Sequence, residues 1–260
     1  MPKTDSYAPG RFCWFELSTP DQNAAKAFYE PLFGWTHQDF PMGPDQAYTM
    51  FEKDGLNLGA AYTMGEQEKA FGVPPHWNLY IAVESADATA EKAKQLGGKL
   101  LVPPFDVMTV GRMAVVQDPA GAVFCIWQAR DHHGASIIDE IGTFCWADLS
   151  TPNAEAAESF YGPLFGWTFE VGENDPSGYV HIKSGDKFIG GMPPAAHQSP
   201  GVPPHWLIYF YAKDCKASTE QAVGLGGKAY VPATEMPGVG TFSVIADPQG
   251  AVFAIYQSAH

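Results

Sequence analysis

Two stretches of this 260-residue chain are nearly the same. Residues 12–36 read FCWFELSTPDQNAAKAFYEPLFGWT, and residues 144–168 read FCWADLSTPNAEAAESFYGPLFGWT. Seventeen of the 25 aligned positions are identical, and the second stretch begins 132 residues after the first. Self-similarity at a fixed spacing indicates a repeated structural unit. The sequence therefore predicts a tandem duplication.

The duplication continues through most of both copies. Three further segments recur: VPPHW at 73–77 and 202–206, LGGK at 96–99 and 225–228, and DPAGAVFCIWQ at 118–128 against DPQGAVFAIYQ at 247–257. These later pairs lie 129 residues apart, so the second copy is three residues shorter somewhere between Trp167 and Val202. Since domain boundaries fall in polar connectors, we expect a first domain over 1–130, a linker over 131–141 and a second domain over 142–260.

Local signals at the start of each copy indicate a strand followed by a helix. The aromatic-rich run Phe12–Leu17 is typical of a strand. Thr19 then offers a helix N-cap with Pro20 at the first helical position. Apolar residues recur at helical spacing up to Gly34, which marks the helix end.

The remaining signals indicate further strands and a second helix. A hairpin at Asp54-Gly55 joins the strands predicted over 47–53 and 56–62. Another strand over 77–83 precedes a helix that Asp87 can cap. Asp118 opens a type I turn between the last two strands. Three strands follow that second helix, near 99–102, 112–117 and 122–128. Each copy thus contains the order strand, helix, strands twice.

Composition narrows the possible partners. Apolar residues make up 45% of the chain and charged residues 17%, as in ordinary folded domains. The formal net charge of −14 repels phosphate backbones and anionic lipids, so neither nucleic acid nor a membrane is an expected partner. Residues 1–10 lack the apolar core of a signal peptide, and no apolar run is long enough to span a bilayer. We expect a cytoplasmic monomer or homodimer.

The cysteines indicate no special chemistry. The four are scattered, with no CxxC pair, which argues against a disulfide framework. Cys13 and Cys145 occupy equivalent positions beside tryptophan, as small buried apolar side chains do. No His, Lys or Arg is adjacent in sequence to either cysteine to lower the pKa of its thiol.

The repeated motifs resemble a known superfamily. The segments at 16–35 and 148–167 are similar to the opening signature of the vicinal-oxygen-chelate (glyoxalase/bleomycin-resistance/dioxygenase) superfamily. The segments AVESADATAEKAKQLGGK at 82–99 and DPAGAVFCIWQ at 118–128 resemble its later signatures. A closer resemblance is to a two-domain subgroup described as hydroxylase-like or glyoxalase-like. The resemblance covers nearly the whole chain, twice.

The resemblance implies an α+β fold of tandem vicinal-oxygen-chelate domains. Four βαβββ units would form two curled open sheets, each with a concave side, here called a cup, that holds a small molecule. Members of the superfamily include glyoxalases, extradiol dioxygenases, epimerases, fosfomycin-inactivating enzymes and bleomycin-sequestering proteins. The fold alone therefore does not decide the reaction.

The resemblance also implies four metal-ligand positions in each cup, which family enzymes fill with His, Gln or Glu. They fall on Trp14, Asn78, Cys125 and one of residues 58–61 in the first copy, and on Trp146, Leu207, Ala254 and one of residues 189–192 in the second. Indole, leucine and alanine side chains cannot coordinate a divalent cation. We expect no bound metal and no other cofactor.

Histidines elsewhere are weak substitutes for these ligands. His76 and His205 lie two residues before an expected ligand position, but each follows two prolines that hold the chain outside the sheet ladder. They are expected to be edge histidines bonded to backbone. Asp131, His132 and His133 cluster in the linker, where we expect a solvated connector.

Strand alternation predicts the lining of the cups. Phe12 and Phe144 share the parity of the cup-facing positions on the first strands. The expected ligand-binding residues are Trp14, Glu16, Asn78, Tyr80, Arg112, Cys125 and Trp127 in the first cup, and Trp146, Asp148, Tyr209 and Tyr256 in the second. For any single aromatic residue, a plain core position is the alternative.

Glu16 and Asp148 are the candidate catalytic residues, because a buried carboxylate is costly without a partner or a purpose. A purely structural hydrogen bond is the alternative. We expect Arg112 or Asn78 to donate to Glu16, and Tyr209 to Asp148. The first cup should be the better binding site, since its Asn78, Arg112 and Cys125 are replaced in the second cup by Leu207, Thr241 and Ala254.

Three functional interpretations remain. We favour metal-independent binding, with or without conversion, of a small molecule that is partly apolar, aromatic or polyketide-like. The alternative is a metal-dependent lyase or dioxygenase of the glyoxalase type. A third possibility is that one cup is vestigial and the fold serves association. Metal content distinguishes the first two, and ligand-induced stabilisation distinguishes the first from the third.

Overall fold

The computed structural model describes residues 3–43, 46–172, 177–198 and 201–259. Within these ranges, the first half of the chain contains eight strands and three helices. In chain order these are β1 (Phe12–Thr19), α1 (Gln22–Phe33), β2 (Thr36–Gly43), β3 (Gln46–Lys53), β4 (Leu56–Thr63), α2 (Glu66–Ala70), β5 (His76–Ala82), α3 (Ala86–Gln95), β6 (Lys99–Val107), β7 (Gly111–Gln117) and β8 (Val123–Ala129).

The second half repeats this order, with a short 3-10 helix (Ala195–His197) in the place of α2. Its elements are β9 (Phe144–Ser150), α4 (Ala154–Phe165), β10 (Trp167–Val171), β11 (Val180–Ser184), β12 (Lys187–Met192), β13 (His205–Tyr211), α5 (Cys215–Gly224), β14 (Lys228–Met236), β15 (Gly240–Ala246) and β16 (Val252–Ser258). Strands β10 and β11 are five residues long, against eight for β2 and β3; residues 173–176 and 199–200, within the span where the deletion is expected, lie outside the described ranges. No helix in the described ranges is long and apolar enough to cross a membrane.

Each half forms its own open eight-stranded sheet. The strand orders are β2-β3-β4-β1-β5-β8-β7-β6 and β10-β11-β12-β9-β13-β16-β15-β14. In the first sheet β1 and β5 pair antiparallel at the centre, and each pairs in parallel with the last strand of its own βαβββ unit. The predicted fold of four units in two sheets is confirmed.

The predicted turns are confirmed as well. Gly34 ends α1 in the left-handed region with a φ of 70°. Asp54 and Gly55 both have positive φ, at 52° and 76°, as a tight hairpin turn requires. Asp118 Oδ1 accepts three backbone N–H bonds of 2.7–2.9 Å from the turn that it opens.

Some predicted local details are wrong. Strand β2 was not predicted, because it is an exposed edge strand whose sequence shows no alternation of buried and exposed residues. Helix α1 is capped by Asp21 rather than Thr19: the Asp21 carboxylate accepts two backbone N–H bonds of the first turn, at 2.9 and 3.1 Å. Helix α3 is likewise capped by Ser85 rather than Asp87.

The hydrophobic core is shared by the two halves. Helix α1 of the first half packs on the second sheet, where the rings of Phe28 and Phe253 lie 6.1 Å apart. Helix α4 of the second half packs on the first sheet in the same way, with Phe124 and Phe160 6.3 Å apart. Each helix therefore lies between two sheets, and the helix-bearing faces of both sheets turn toward each other.

Two tyrosine–aspartate hydrogen bonds, here called the tyrosine clamps, join the halves. Tyr29 donates to Asp247 Oδ2 at 3.1 Å, and Tyr161 donates to Asp118 Oδ2 at 3.0 Å. Each tyrosine belongs to the Phe-Tyr motif of one copy, and each aspartate opens the last turn of the other copy. Two of the repeated motifs thus form the interface between the copies.

The connector between β8 and β9 is packed rather than loose. The N–H of Ala135 donates to the carbonyl of Cys13, and that of Ser136 to Asn57, each at 2.7 Å. Ala135 and Ile137 are fully buried. The connector therefore adds backbone hydrogen bonds and apolar contacts to the first sheet.

Candidate functional site

Contacts with the shared core show which side of each sheet forms the cup. On β5, Trp77 turns to the core and donates to Tyr29, so Tyr80 faces the opposite side. On β8, Phe124 contacts α4, so Cys125 faces the cup. We define the first cup by Trp14, Glu16, Tyr48, Tyr80, Cys125 and Trp127, and the second cup by Trp146, Asp148, Tyr179, Tyr209, Ala254 and Tyr256.

Glu16 lies at the centre of the first cup and is only 8% exposed. Its Oε1 accepts a hydrogen bond from the Tyr48 hydroxyl at 2.7 Å, and its Oε2 accepts one from the Tyr80 hydroxyl at 2.6 Å. The Tyr48 oxygen accepts in turn from the indole N–H of Trp14 at 3.2 Å. Tyr80 lies within reach because it pairs with Trp14 in the β1–β5 register.

Burial raises the pKa of the Glu16 carboxyl, and the hydroxyl donors of Tyr80 and Tyr48 offset part of that rise. Burial and then the negative charge of Glu16 raise the pKa of both tyrosines well above its ordinary value, so both remain donors at neutral pH. An ionised carboxylate offers about four acceptor positions. The two tyrosines occupy about half of them, which leaves acceptor capacity for a ligand donor.

The second cup repeats this arrangement around Asp148, which is 6% exposed. Tyr209 donates to Oδ2 at 2.7 Å, as expected, and Tyr179 and the Trp146 indole donate to Oδ1 at 2.5 and 3.1 Å. Burial raises the pKa of Asp148, and these donors offset part of the rise. Tyr179 comes this close because Gly191 is opposite: a Cβ there would lie 2.0 Å from the tyrosine oxygen.

Neither Tyr48 nor Tyr179 was predicted as a site residue. Tyr48 lies on the strand predicted over 47–53, so alternation opposite the buried Phe51 could have placed it in the cup. Tyr179 lies just before β11 and follows Tyr48 by 131 residues, the spacing that also separates Ala60 from Gly191, so an alignment of the two hairpins could have located it.

Asn78 lies at the rim of the first cup rather than on the Glu16 carboxylate. Its amide donates weakly, at 3.4 Å, to the backbone carbonyl of Glu16 and to the Tyr62 hydroxyl. Tyr62 donates to Glu68 of α2 at 2.9 Å, and Ser18 donates to the same carboxylate oxygen at 3.1 Å. A second carboxylate thus lies at the rim of the first cup.

The repeated histidines bond to backbone, as predicted, but each lies inside the sheet ladder as the first residue of its strand: His76 pairs with Ser18, and His205 pairs with Ser150. A ring nitrogen of His76 contacts the carbonyl of Pro74 at 2.8 Å, and His205 contacts the carbonyl of Pro203 at 2.9 Å. Each histidine thus holds the diproline segment that leads into β5 or β13.

Arg112 does not lie in the first cup, contrary to prediction. Its guanidinium forms an ion pair with Asp87 at 2.7 Å and another with Asp106 at 3.0 Å. On β7 it is Met113 that pairs with Trp127 and faces the cup. Arg112 therefore turns to the helix side, where Asp87 lies in the first turn of α3. The prediction was wrong by one position along β7, where Met113 rather than Arg112 has the cup-facing parity. A shift of one residue along a strand moves a side chain to the opposite face of the sheet.

The prediction that Phe12 and Phe144 face the cups is also wrong. The β1–β5 register shifts between residues 12 and 14, so Phe12 pairs with Ile81 and leaves the face shared by the later residues. The Phe12 ring contacts Trp167 at 5.6 Å, and Phe144 stacks on Phe15 at 3.8 Å. Both phenylalanines belong to the interface between the halves.

The last strands complete the cups. Trp127 meets Tyr80 edge-to-face at 6.3 Å, and Cys125 pairs with Tyr80 in parallel register. Burial raises the pKa of the Cys125 thiol, so this side chain stays protonated. Tyr256 lies on the cup side of β16, but its hydroxyl donates to the carbonyl of Val239 at 2.8 Å rather than to Asp148.

The connector adds an unforeseen residue to the first cup. The ring of His132 meets Trp14 edge-to-face at 4.5 Å and lies 6.1 Å from Trp127. Asp131 and His133 are exposed, as expected, but the expectation of solvent around His132 is wrong. The connector is not part of the repeat, so comparison of the copies could not reveal this contact.

Two clefts between the halves are separate from the cups. One, of about 220 Å³, lies between Gly10, α3 and Phe165; the other, of about 190 Å³, lies between Gly142, α5 and Phe33. They occupy equivalent places in the repeat and contain none of the cup-defining residues.

The residues present do not fit the divalent metal that the fold implies. No group of three or more His, Cys, Asp or Glu side chains converges within the described ranges. Around Glu16 stand tyrosine hydroxyls, an indole and a protonated thiol, and around Asp148 two hydroxyls and an indole. These are not the donor sets of zinc, iron or manganese sites.

The two halves match two family models. The model of the Glyoxalase/Bleomycin resistance protein/Dioxygenase superfamily matches residues 11–126. The model of the Glyoxalase-like domain matches residues 146–256. Together they cover both sheets.

Curated relatives match over nearly the whole chain. A Mycobacterium tuberculosis protein with the provisional name glyoxylase CFP32 is 39% identical, and the match covers 100% of this chain and 99% of that protein. Anthracycline biosynthesis protein DnrV of Streptomyces peucetius is 33% identical, over 96% of this chain and 94% of that protein.

Solved structures share the fold at low identity. The Mn(II)-bound glyoxalase from Novosphingobium aromaticivorans has a TM-score of 0.64 and 15% identity, with 97% of this chain and 83% of that chain covered. The 2,3-dioxygenase LapB from Pseudomonas sp. KL28 has a TM-score of 0.62 and 13% identity, with 98% and 94% covered. At such identities the likeness concerns the fold alone.

Proposed function

Because this chain belongs to the glyoxalase/bleomycin resistance protein/dioxygenase superfamily, we propose that its first cup binds a small aromatic molecule without a protein-bound metal. The ligand carries a hydroxyl or amino group that donates a hydrogen bond to Glu16. The observation that carries this proposal is the buried carboxylate held by Tyr48 and Tyr80.

The surroundings of Glu16 support an aromatic ligand. Trp14, Tyr80 and Trp127 place three aromatic rings on one face of the sheet, next to the fixed carboxylate of Glu16. Small-molecule sites commonly combine apolar walls with a few orienting polar groups. Because tyrosine hydroxyls fix both oxygens, the carboxylate is pre-organised and loses little entropy when a ligand binds.

The names of the relatives are compatible with such a ligand. DnrV and DauV, both from Streptomyces, are named as anthracycline biosynthesis proteins and are 33% and 32% identical to this chain. Anthracyclines are flat, hydroxylated, polycyclic aromatic molecules. We therefore include hydroxylated naphthalenes and anthraquinones among the compounds to test.

Chemical conversion of the ligand is a possible extension of binding. A carboxylate with a raised pKa can accept a proton from a ligand hydroxyl within hydrogen-bond reach. The binding assays should therefore be followed by product analysis after long incubation.

The test is a thermal-shift screen of these compounds, followed by calorimetry on the strongest binder and elemental analysis of dialysed protein. Glu16→Gln keeps the side-chain shape but removes the charge, and should weaken binding about tenfold or more. Glu91→Gln, on the exposed face of α3, is the control and should bind like the parent.

Two results would contradict the proposal. One is stoichiometric zinc, iron, nickel or manganese that survives dialysis and is needed for binding. The other is equal affinity of the parent and Glu16→Gln for every binder found. Asp148→Asn in the second cup shows whether that cup contributes, and we expect the smaller effect there.

A further inference from the structure

The Nε2 atom of His132 is a buried nitrogen without a hydrogen-bond partner. Within the described ranges it is the one buried side-chain nitrogen or oxygen in this situation. Native proteins pair nearly all buried polar atoms, and an exception points to a bound group that would complete the pairing.

Backbone bonds and ring packing hold His132 in place. Its N–H donates to the carbonyl of Val110 at 3.1 Å, and its carbonyl accepts from the Trp127 indole at 2.9 Å. Its ring meets Trp14 edge-to-face at 4.5 Å. Both tryptophans are residues of the first cup, so the connector presents this ring at the end of the cup.

The imidazole is neutral at physiological pH. Burial lowers the pKa of His132 to about 4, with a smaller contribution from the neighbouring His133. A neutral imidazole carries a proton on one nitrogen and a free lone pair on the other. With the proton on Nδ1, the buried Nε2 is an acceptor.

We propose that His132 is a ligand-binding residue of the first cup, where its Nε2 accepts a hydrogen bond from an O–H or N–H group of the ligand. This inference rests on the proposed function and narrows its ligand class. Glu16 and His132 both accept, so the first cup selects aromatic molecules with hydrogen-bond donors at separate ring positions.

Among the described residues, the histidine that contacts Trp146 in the second cup is His181 of β11, whose ring lies 6.4 Å away and also contacts Tyr179 and Phe188. His181 lies on a strand of the sheet, whereas His132 belongs to the connector, so the two contacts differ in origin.

The first arm of the test measures the ligand-free protein. His132→Phe keeps an aromatic ring between the tryptophans and removes the unpaired nitrogen, so the melting temperature should rise by about 3 °C. His133→Phe, one residue away and exposed, is the control and should not raise it. A melting temperature of His132→Phe at or below that of the parent would overturn the inference.

The second arm measures binding of 1,5-dihydroxynaphthalene, which carries donors at two separate ring positions, and of 1-naphthol, which carries one, by quenching of tryptophan fluorescence. His132→Phe should weaken binding of the diol about tenfold, because one hydrogen bond is lost, and leave the binding of 1-naphthol through Glu16 nearly unchanged. Equal affinity of parent and variant for the diol, or no preference of the parent for the diol over 1-naphthol, overturns the inference while the proposed function stands. If the parent binds neither compound, the proposed function loses its support and the melting temperatures alone decide the inference.

Discussion

At the scale of single residues, each cup consists of one acid and the hydroxyls that hold it. A carboxylate removed from water without partners is strongly destabilising. Two tyrosines offset that cost for Glu16, and Tyr179 and Tyr209 do so for Asp148. The same hydroxyls fix the direction of the remaining lone pairs, so one arrangement serves both stability and recognition.

Removal of one hydroxyl should therefore affect both properties. Tyr48→Phe takes one donor from Glu16 and the acceptor from the Trp14 indole. We expect the pKa of Glu16 to rise further, and the free energy of unfolding to fall by about 1–2 kcal/mol. Carboxyl ¹³C titration and urea denaturation measure the two effects. Tyr62→Phe, whose hydroxyl bonds Glu68 instead, should leave the Glu16 pKa nearly unchanged.

The pH dependence of stability should report on His132. Its pKa is about 4 in the folded protein and 6.5 in an unfolded chain, so between these values the unfolded chain binds the additional proton. This residue therefore lowers stability as the pH falls from about 6.5 to 4, and has no such effect above that window. The stability of the parent relative to His132→Phe should drop across the window in urea denaturation. The raised pKa values of Glu16 and Asp148 change stability with pH in the opposite direction. Both residues are present in the parent and in His132→Phe, so their contributions largely cancel in this comparison. A constant difference would show that the imidazole titrates normally.

The limits of sequence reasoning at this scale follow from geometry. Glu16 and Tyr80 were predictable because strand alternation and the repeat both place them. Arg112 was misplaced because the face of β7 depends on its register with β8, which the sequence does not display. His132 was missed because its contact with Trp14 joins residues far apart in the chain, and neither strand alternation nor a turn motif in the connector points to it.

At the scale of elements, a glycine decides how the second cup closes. Gly191 of β12 pairs with Asp148, and Ala60 of β4 pairs with Glu16 in the matching place of the first sheet. The missing Cβ at Gly191 lets Tyr179 approach from the loop before β11. In the first cup the corresponding tyrosine lies on β3 and needs no such space.

Gly191→Ala should consequently separate Tyr179 from Asp148. The added Cβ would lie 2.0 Å from the tyrosine oxygen, so the ring must move. We expect a loss of about 1–3 kcal/mol in the free energy of unfolding and a further rise in the pKa of Asp148. Ala60→Gly is the matched change in the first sheet and should cost about 1 kcal/mol without moving the Glu16 pKa. Equal stability of Gly191→Ala and the parent would contradict this role of the glycine.

The strands and helices could be predicted from the sequence where buried and exposed residues alternate, or where a turn requires particular residues. The hairpin at Asp54-Gly55 and the helix end at Gly34 are set by local backbone geometry. Strand β2 forms through backbone hydrogen bonds to β3. All side chains of β2 are exposed, so its sequence shows no alternation of buried and exposed residues that could predict a strand.

At the scale of the whole molecule, the shared core should make the two halves unfold together. Helices α1 and α4 each pack on the sheet of the other half, so neither sheet keeps its apolar face covered alone. We expect a single transition in urea, with coincident fluorescence and circular dichroism curves. Two separated transitions would show that the halves are independent.

The tyrosine clamps should contribute equally to this coupling. Tyr29→Phe removes the bond to Asp247 and the acceptor of the Trp77 indole, and Tyr161→Phe removes the bond to Asp118 and the acceptor of the Trp206 indole. Each change should lower the free energy of unfolding by about 2 kcal/mol. Tyr230→Phe, on an exposed tyrosine of β14, is the neutral control.

The clamps also bear on how such a chain can diversify. Each half donates a tyrosine hydrogen bond to the other half and accepts the equivalent bond from it. This reciprocal arrangement is the geometry of an isologous two-fold dimer. A single copy of this domain contains both partners of that contact, so two separate chains could build the same interface. Covalent fusion keeps the two copies together at high effective concentration. The copies then no longer need to have identical sequences. One member can then exchange Asn78 for Leu207, or acquire a histidine from the connector, without imposing the change on the other. Fusion of the two copies therefore permits one stable dimer-like body to carry two different specificities.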